Sequence, residues 1–279
     1  MTAAAFEPAL AARGVVAAYG ERRAVDGVDL SIARGGVTAL CGPNGCGKST
    51  LLRMLCGLQA PQEGEVLVEG RPLAALGRRE RARTLTMLAQ AHEAPPGLLV
   101  RELVAYGRYA HRPLIGALSP ADRAAMDDAM AAMGLSALRE RPLAELSGGE
   151  RQRAWIAMAL AQQCRILLLD EPTTWLDLRH QVELVDALRR LNRERGVTIV
   201  AVLHDLNQAA ALADRVLLME GGRVRHDGPP ETALAAGPLK DVFGVRMWRM
   251  EHPLGGPVCL PFYGSRETAP RAAAVEASS

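Results

Sequence analysis

Lysine is almost absent from this chain: of 33 basic residues only Lys48 and Lys240 are lysine, and every other one is arginine. An excess of either charge is missing too. Against 31 acidic residues the formal balance is +2, too even to supply the basic face that neutralises nucleic-acid phosphates, which excludes DNA or RNA as the main partner. Cysteines are few and unpatterned. Cys41, Cys46, Cys56, Cys164 and Cys259 show neither CxxC spacing nor a nearby His cluster, and they read as buried thiols in a reducing cytosol rather than as metal ligands. Long apolar runs are lacking, since the longest uncharged apolar helical stretch, Ala154 to Cys164, falls well short of the ~20 residues that cross a bilayer. Met1 to Arg13 contains Glu7 and no basic region ahead of an apolar stretch, unlike a secretory signal. No internal repeat is evident, so a second copy of any motif is not expected within the chain.

What is present is a chain of 279 residues, 49% hydrophobic, enough for one large α/β domain or two closely joined ones; one main domain with a helical insertion is expected. Val28, Leu30 and Ile32 alternate with Asp29 and Ser31, the period of a strand with one wet face, which suits an antiparallel edge sheet. Val37 to Cys41, Ile166 to Leu169 and Val197 to Leu203 are unbroken apolar runs, as parallel strands covered on both faces should be. Strand signals vanish between Ala91 and Leu146, where Leu99 to Arg108 and Pro120 to Met133 read as helices. Pro95, Pro96 and Gly97 open this segment as a hinge or a rigid surface turn. After about Gly264 apolar periodicity disappears, which predicts a mobile tail.

Three local motifs carry chemistry. Gly42, Pro43, Asn44, Gly45, Cys46, Gly47, Lys48, Ser49 and Thr50 satisfy G-x-x-x-x-G-K-[ST] between an apolar strand and a helical run, the context that a phosphate-cradling P-loop requires. Glycines let successive N–H groups turn inward at phosphate oxygens, and the following helix N-terminus adds partial positive charge. Lys48 would neutralise the β- and γ-phosphates, a task for a compact ammonium, and Ser49 would ligate Mg²⁺. This motif alone leaves kinases, GTPases and many ATPases open. A second motif narrows the choice: Arg165 to Glu171 is a buried strand ending in two carboxylates beside the phosphates, Asp170 for the Mg²⁺ shell and Glu171 to accept a proton from, or orient, the attacking water. The third runs from Leu146 to Gln152 ahead of a helix expected over Arg153 to Gln163. Ser147 is an N-cap candidate and Glu150 completes a capping box, yet Gly148 and Gly149 weaken a first turn by up to ~1 kcal/mol each. Close approach of an anion to bare N–H groups explains both glycines.

With these residues in hand, the chain resembles the nucleotide-binding subunits of ATP-binding-cassette transporters from roughly Gly14 to Gly228, and Leu146 to Gln152 looks like that family's signature sequence. The resemblance implies an α/β fold of the P-loop NTPase type, a mostly parallel central sheet with an antiparallel β edge and an inserted helical subdomain. It places a cassette domain over residues 8–264, the helical signature subdomain over about 91–163, and a disordered tail at 265–279. It implies ATP and Mg²⁺, and two copies packed head to tail, with Ser147, Gly148, Gly149 and Glu150 of one meeting the nucleotide on the P-loop of the other. By the same resemblance Tyr19 stacks on adenine, Gln90 touches Mg²⁺ and water, and Asp177 lies in the loop that communicates across the pair, where Trp175 replaces a small residue. His204 would hold the γ-phosphate and position Glu171.

Gln152 to Gln162, Glu171 to Asp177, Leu203 to Gln208 and Gly107 to Pro113 look like the branch that imports ferric siderophores, with cobalamin and haem importers as near relatives. Such a subunit sits on the cytoplasmic face of the membrane, docks on transmembrane permease subunits and depends indirectly on a substrate-binding protein. The basic run Arg78 to Arg83 reads as a solvated surface cluster, as does the basic character of Gly107 to Pro113 without the resemblance. A cassette protein of DNA repair or translation would carry tandem cassettes, coiled coils or basic appendages, and a P-loop kinase would not need Ser147-Gly-Gly ahead of Glu171 and His204; these are the rival classes.

Overall fold

The computed structural model describes residues 8–89, 95–112, 117–252 and 256–262. The chain begins with two long strands, β1 (Leu10–Tyr19) and β2 (Arg22–Ile32), paired antiparallel across a tight turn at Gly20 and Glu21. β3 (Val37–Cys41) follows, entirely buried, and the P-loop leads into α1 (Lys48–Cys56). Gly57 ends α1 in the left-handed conformation, its N–H returning to the carbonyls of Arg53 and Met54. β4 (Glu63–Val68) and the short β5 (Arg71–Pro72) complete a four-stranded antiparallel sheet ordered β2-β1-β4-β5. The expected edge sheet therefore forms, with β2 at its rim.

Arg78 to Thr84 is helical (α2), largely exposed as its charge requires, and β6 (Leu85–Leu88) follows directly, Thr84 closing the helix through its hydroxyl on the Glu80 carbonyl. Next come α3 (Val100–Tyr106), extended by a 3-10 turn over Gly107–Ala110, then α4 (Pro120–Ala132) and α5 (Gly148–Ala161). These bury Leu103, Val104, Met126, Met130, Ile156 and Leu160 against one another. Between α3 and α5 the described residues form no strand, only an isolated bridge from Leu99 to Pro142. The remainder alternates: β7 (Ile166–Asp170), α6 (Leu178–Arg195), β8 (Thr198–Val202), α7 (Leu206–Leu212), β9 (Arg215–Glu220), β10 (Arg223–Gly228), α8 (Pro230–Ala233), α9 (Ala236–Phe243) and a hairpin of β11 (Met247–Glu251) and β12 (Pro257–Pro261).

The central sheet runs β10-β9-β3-β8-β7-β6, parallel except for β10 on β9. Both of its faces are covered, and the period-two geometry of a strand sorts each side chain to one of two cores. Leu167 and Leu169 of β7 and Ile199 and Ala201 of β8 face the core shared with α5, α6 and the helical segment. Ile166 and Leu168, Val200 and Val202 face the other core, where Leu51, Leu52, Met54 and Leu55 of α1 fill the space beneath the antiparallel sheet. Burial of each such aliphatic side chain contributes ~1.5–3 kcal/mol, which is why these runs are unbroken rather than alternating. All five cysteines are buried and unpaired, and burial pushes the Cys41 and Cys164 thiols up to about 12, so they pack as small apolar groups. Among the described residues no helix is long and apolar enough to cross a membrane.

Candidate nucleotide site

Three adjacent strands deliver the site. β3, β8 and β7 lie side by side and parallel, so the loops after Cys41, Val202 and Asp170 emerge together at one edge of the sheet. After β3 the chain takes φ values that glycine alone adopts freely: 150° at Gly42, 72° at Gly45 and 108° at Gly47. Space forbids side chains there as well. A Cβ on Gly42 would lie 2.2 Å from the Met219 carbonyl oxygen, and one on Gly47 2.0 Å from that of Ala24. Strands β9 and β2 thus press the loop into its curl before any ligand is considered. Gly47 is the N-cap of α1 and offers no side chain, which leaves the first-turn N–H groups directed at the cradle.

Lys48 is buried, and its Nζ donates to the carbonyls of Gly42 (2.7 Å) and Pro43 (2.9 Å), holding the charge at the mouth of the loop. Ser49 Oγ donates to Asp170 Oδ1 at 2.9 Å. Burial raises the Asp170 carboxyl above the ordinary carboxylate range, and the Ser49 hydrogen bond opposes that rise. Glu171 leaves β7 with a positive φ of 52°, unusual for a non-glycine residue, while its N–H still donates to Val202 O on β8 (3.2 Å). Its Oε1 lies 2.5 Å from His204 Nε2, and Thr174 Oγ1 donates to Oε2 at 3.3 Å. His204 is placed by Leu203, whose N–H extends the β3–β8 ladder to Leu40 O.

Tyr19 ends β1 with 54% of its surface exposed and its hydroxyl donating to Gln59 Oε1 (2.8 Å), so the ring face stands free beside the loop. A cavity of about 290 Å³ joins Tyr19, the loop residues Asn44, Gly45, Gly47, Lys48, Ser49 and Thr50, and Glu171. It also includes Arg22, whose Nη2 donates to Gly45 O at 2.7 Å. Arg22 escaped sequence reading because no spacing marks it; the β1–β2 turn alone brings it to the P-loop. A further group without sequence signal is the side-chain chain Thr173 to Gln208 to Gln181, at 2.7 and 2.9 Å, which fixes the loop after Glu171 to α6 and α7.

Ser147 to Glu150 and Asp177 lie apart from this cavity. Ser147 caps α5 as expected: its Oγ accepts from Glu150 N–H (3.3 Å), and Glu150 Oε2 accepts from Ser147 N–H (2.9 Å), which lowers the Glu150 carboxyl. The two glycines differ from one another. Gly148 is exposed and a Cβ there would meet nothing nearer than Leu176 Cδ2 at 4.0 Å, whereas a Cβ on Gly149 would lie 2.2 Å from the His180 ring. Gly149 therefore has a packing reason within its own chain, which Gly148 lacks. Asp177 N-caps α6, accepting from His180 N–H (2.9 Å), and its carboxylate also lies 2.8 Å from His180 Nδ1, the ring that covers Gly149. Trp175 projects at 90% exposure with φ 68°. Gln90 lies outside the described residues. Arg108, in the stretch that looks like the siderophore branch and without that resemblance reads as a surface basic cluster, is buried against Asp122.

A glycine cradle on a parallel sheet edge, a buried lysine at its mouth and a hydroxyl–carboxylate pair behind it define a P-loop nucleoside triphosphatase. The family model for ABC transporters matches residues 25–174. The chain is 43% identical over 244 residues to the ferric enterobactin transport ATP-binding protein FepC of Escherichia coli (strain K12), covering 87% of this chain and 90% of that one. It is 42% identical to the iron(3+)-hydroxamate import ATP-binding protein FhuC of Bacillus subtilis (strain 168), covering 88% and 91%. Among solved structures, the dimeric MJ0796, a bacterial ABC transporter cassette, superposes with a TM-score of 0.70 at 30% identity, covering 79% of this chain and 98% of that one. The chain belongs to the ABC transporter family. It is an ATPase cassette of that family, and its nucleotide is ATP.

Proposed function

We propose that this chain energises an importer of iron(III)-siderophore complexes, as the ATP-hydrolysing subunit docked under transmembrane permease subunits on the cytoplasmic face of the membrane. The observation that carries the catalytic part is the 2.5 Å contact between Glu171 and His204 at the edge of the cavity that Lys48 and Tyr19 line. In this reading Tyr19 stacks on the base, the P-loop N–H groups and Lys48 hold the phosphates, and His204 orients Glu171 and stabilises charge on the γ-phosphate. Water attacks the γ-phosphorus, the bond to the β–γ bridging oxygen breaks, and Glu171 takes the water proton.

Mg²⁺ fits the donor set, because Ser49 and Asp170 offer paired hard oxygens beside the cradle. Among the described residues no cluster of three or more His, Cys, Asp or Glu could cage a metal alone, so phosphates and water would have to complete the shell. Bound there, and with Gln90 as a further ligand by resemblance, it would neutralise developing phosphate charge.

The exposed Gly148 N–H at the α5 N-terminus stands off its own chain's cavity, which supports a head-to-tail pair in which Ser147, Gly148 and Gly149 serve the partner's nucleotide, with Glu150 and Asp177 shaping the contact. The cassette would span residues 8–264, with the helical part near 91–163 relaying closure to the permease and a substrate-binding protein feeding it. The siderophore assignment draws on the relatives named above. Uptake of labelled ferric siderophore, haem and cobalamin by cells with and without this subunit tests it: selective loss of siderophore uptake is expected. Loss confined to haem or cobalamin, or no loss, would refute that cargo.

A further inference from the structure

The segment Gly107–Arg112 clasps the end of α5 opposite to Ser147. Arg108 lies on the 3-10 turn after α3 with its side chain 5% exposed, and it uses three directions of its fork at once. Nε donates to Asp122 Oδ1 (2.8 Å), and Nη1 donates to the Ala161 carbonyl (2.6 Å) and to Gln163 Oε1 (2.9 Å). His111 Nε2 donates to the Gln162 carbonyl at 2.7 Å. The last carbonyls of α5 thus end on a buried cation and an imidazole, the favourable partners for a helix C-terminus.

The clasp is also tied outward. Asp122 is locked in the α4 capping box with Ser119, Gln162 Nε2 donates to Ala82 O, and Arg83 Nε donates to Ala110 O (3.0 Å), so α2, α4 and α5 converge here. Gly107 is flush with α5: a Cβ would stand 2.1 Å from Met158 O. From this point the chain passes through Gln163–Arg165 directly into β7, the strand that ends in Asp170 and Glu171.

Resting on the head-to-tail reading above, we propose that Arg108 is a positioning residue for ATP hydrolysis. It touches no nucleotide, but by clasping one end of α5 it fixes where the other end, Ser147 to Gly149, is aimed. The lever is long. Fourteen residues span about 21 Å, so a pivot of about 5° at the clasp displaces the signature end by about 2 Å. A hydrogen bond to a phosphate oxygen tolerates only a few tenths of an ångström, and about 1 Å of misplacement lowers turnover by about a hundredfold. Lysine cannot replace the fork, because one ammonium on a flexible stem cannot hold three acceptors in fixed directions.

The test uses the full chain in a Glu171→Gln background, with ATP-driven dimerisation followed by sedimentation velocity and monomer binding followed with a fluorescent ADP analogue. Three variants are compared: Arg108→Lys; the pair Arg108→Met with Asp122→Leu, which leaves no buried charge orphaned; and His111→Ala, which opens the outer arm alone. The expected result is ADP affinity within about twofold of the parent and at least a tenfold rise in the ATP needed for dimerisation, smaller for His111→Ala. With Glu171 restored, kcat falls at least tenfold at unchanged ADP affinity. Variants that bind ADP normally and dimerise and turn over like the parent overturn the proposal. So does failure of all three to yield protein with parental ADP affinity, which would leave a purely structural role. A parent that stays monomeric with ATP refutes the composite site itself, and the clasp with it.

Discussion

Gly148 and Gly149 sit side by side in the first turn of α5, and alanine at each should act in opposite ways. At Gly148 a methyl enters open space, with its nearest foreign atom 4.0 Å away. Replacing glycine in a helix gains up to ~1 kcal/mol, so Gly148→Ala should leave stability unchanged or raise it, by up to about 2–4 °C in a chain of this size. At Gly149 the methyl would meet the His180 ring at 2.2 Å and His180 Cβ at 2.6 Å, and that ring is pinned by Asp177. Overpacking of this kind costs about 1–3 kcal/mol, against a helical gain of at most ~1, so the melting temperature should fall by a few degrees. Turnover separates the two further. If Gly148 is bare so that a phosphate can reach its N–H, its methyl should reduce ATPase activity by about a hundred- to a thousandfold, of the order seen when one oxyanion donor is lost. Differential scanning calorimetry and steady-state phosphate release on the same preparations decide the matter. A Gly148→Ala protein that melts early, or that hydrolyses ATP at the normal rate, would refute the assignment of this glycine to an anion from outside the chain.

Other outcomes follow from the same geometry. Glu171→Gln keeps the shape and an acceptor for His204 but not the charge, so single-turnover hydrolysis should slow by about 10²–10⁴ with ATP affinity preserved; slowing of less than tenfold would remove Glu171 from the proton transfer. Tyr19→Ala should weaken ATP binding by about 1–3 kcal/mol while Tyr19→Phe, which loses only the Gln59 hydrogen bond, should not; equal affinities by isothermal calorimetry would contradict stacking. Hydrogen bonds from Ser119 and then Arg108 hold the Asp122 carboxyl down to about 2, below the ordinary ~3.9. A group depressed in this way stabilises the fold above about pH 4 and loses that contribution as pH falls toward 2. Chemical denaturation across that interval should give a shallower pH slope for Asp122→Asn than for the parent, and parallel slopes would show that Asp122 is not linked to folding.

The parts of the site that lie within one stretch of chain were legible before any coordinates. The P-loop, the Asp170–Glu171 strand end and the Ser147 cap each combine periodicity with a motif spanning fewer than a dozen residues, and all three form, although the helix after Ser147 starts at Gly148 and ends at Ala161 instead of running from Arg153 to Gln163, because the Ser147–Glu150 capping box already closes its first turn. What sequence could not disclose depends on partners far along the chain. Arg22 reaches Gly45 only because β1 and β2 fold over the loop. Arg108 looks like one more surface arginine until α4 carries Asp122 to it, 14 residues on. Gly149 looked identical to Gly148 until α6 placed His180 above it. The β11–β12 hairpin, held to α7 by paired hydrogen bonds between Asn207 and Cys259, also escaped notice, because its short strands carry apolar residues on their exposed face, Trp248, Met250, Leu260 and Phe262 among them, and alternate with no clear burial pattern.

The central claim is that a working site takes its P-loop from one copy and its signature helix from another. Mixing two inactive proteins tests this directly: Lys48→Ala, which lacks the phosphate cation, and Gly148→Asp, which sets a carboxylate against the incoming phosphate while suiting a helix N-terminus. Each alone should be inactive. After subunit exchange at equal concentrations, half of the dimers would be mixed, and each would hold one intact site, so ATPase activity should return to about a quarter of the wild-type rate. A mixture that stays as inactive as its components, beside an active wild type, would contradict the shared site.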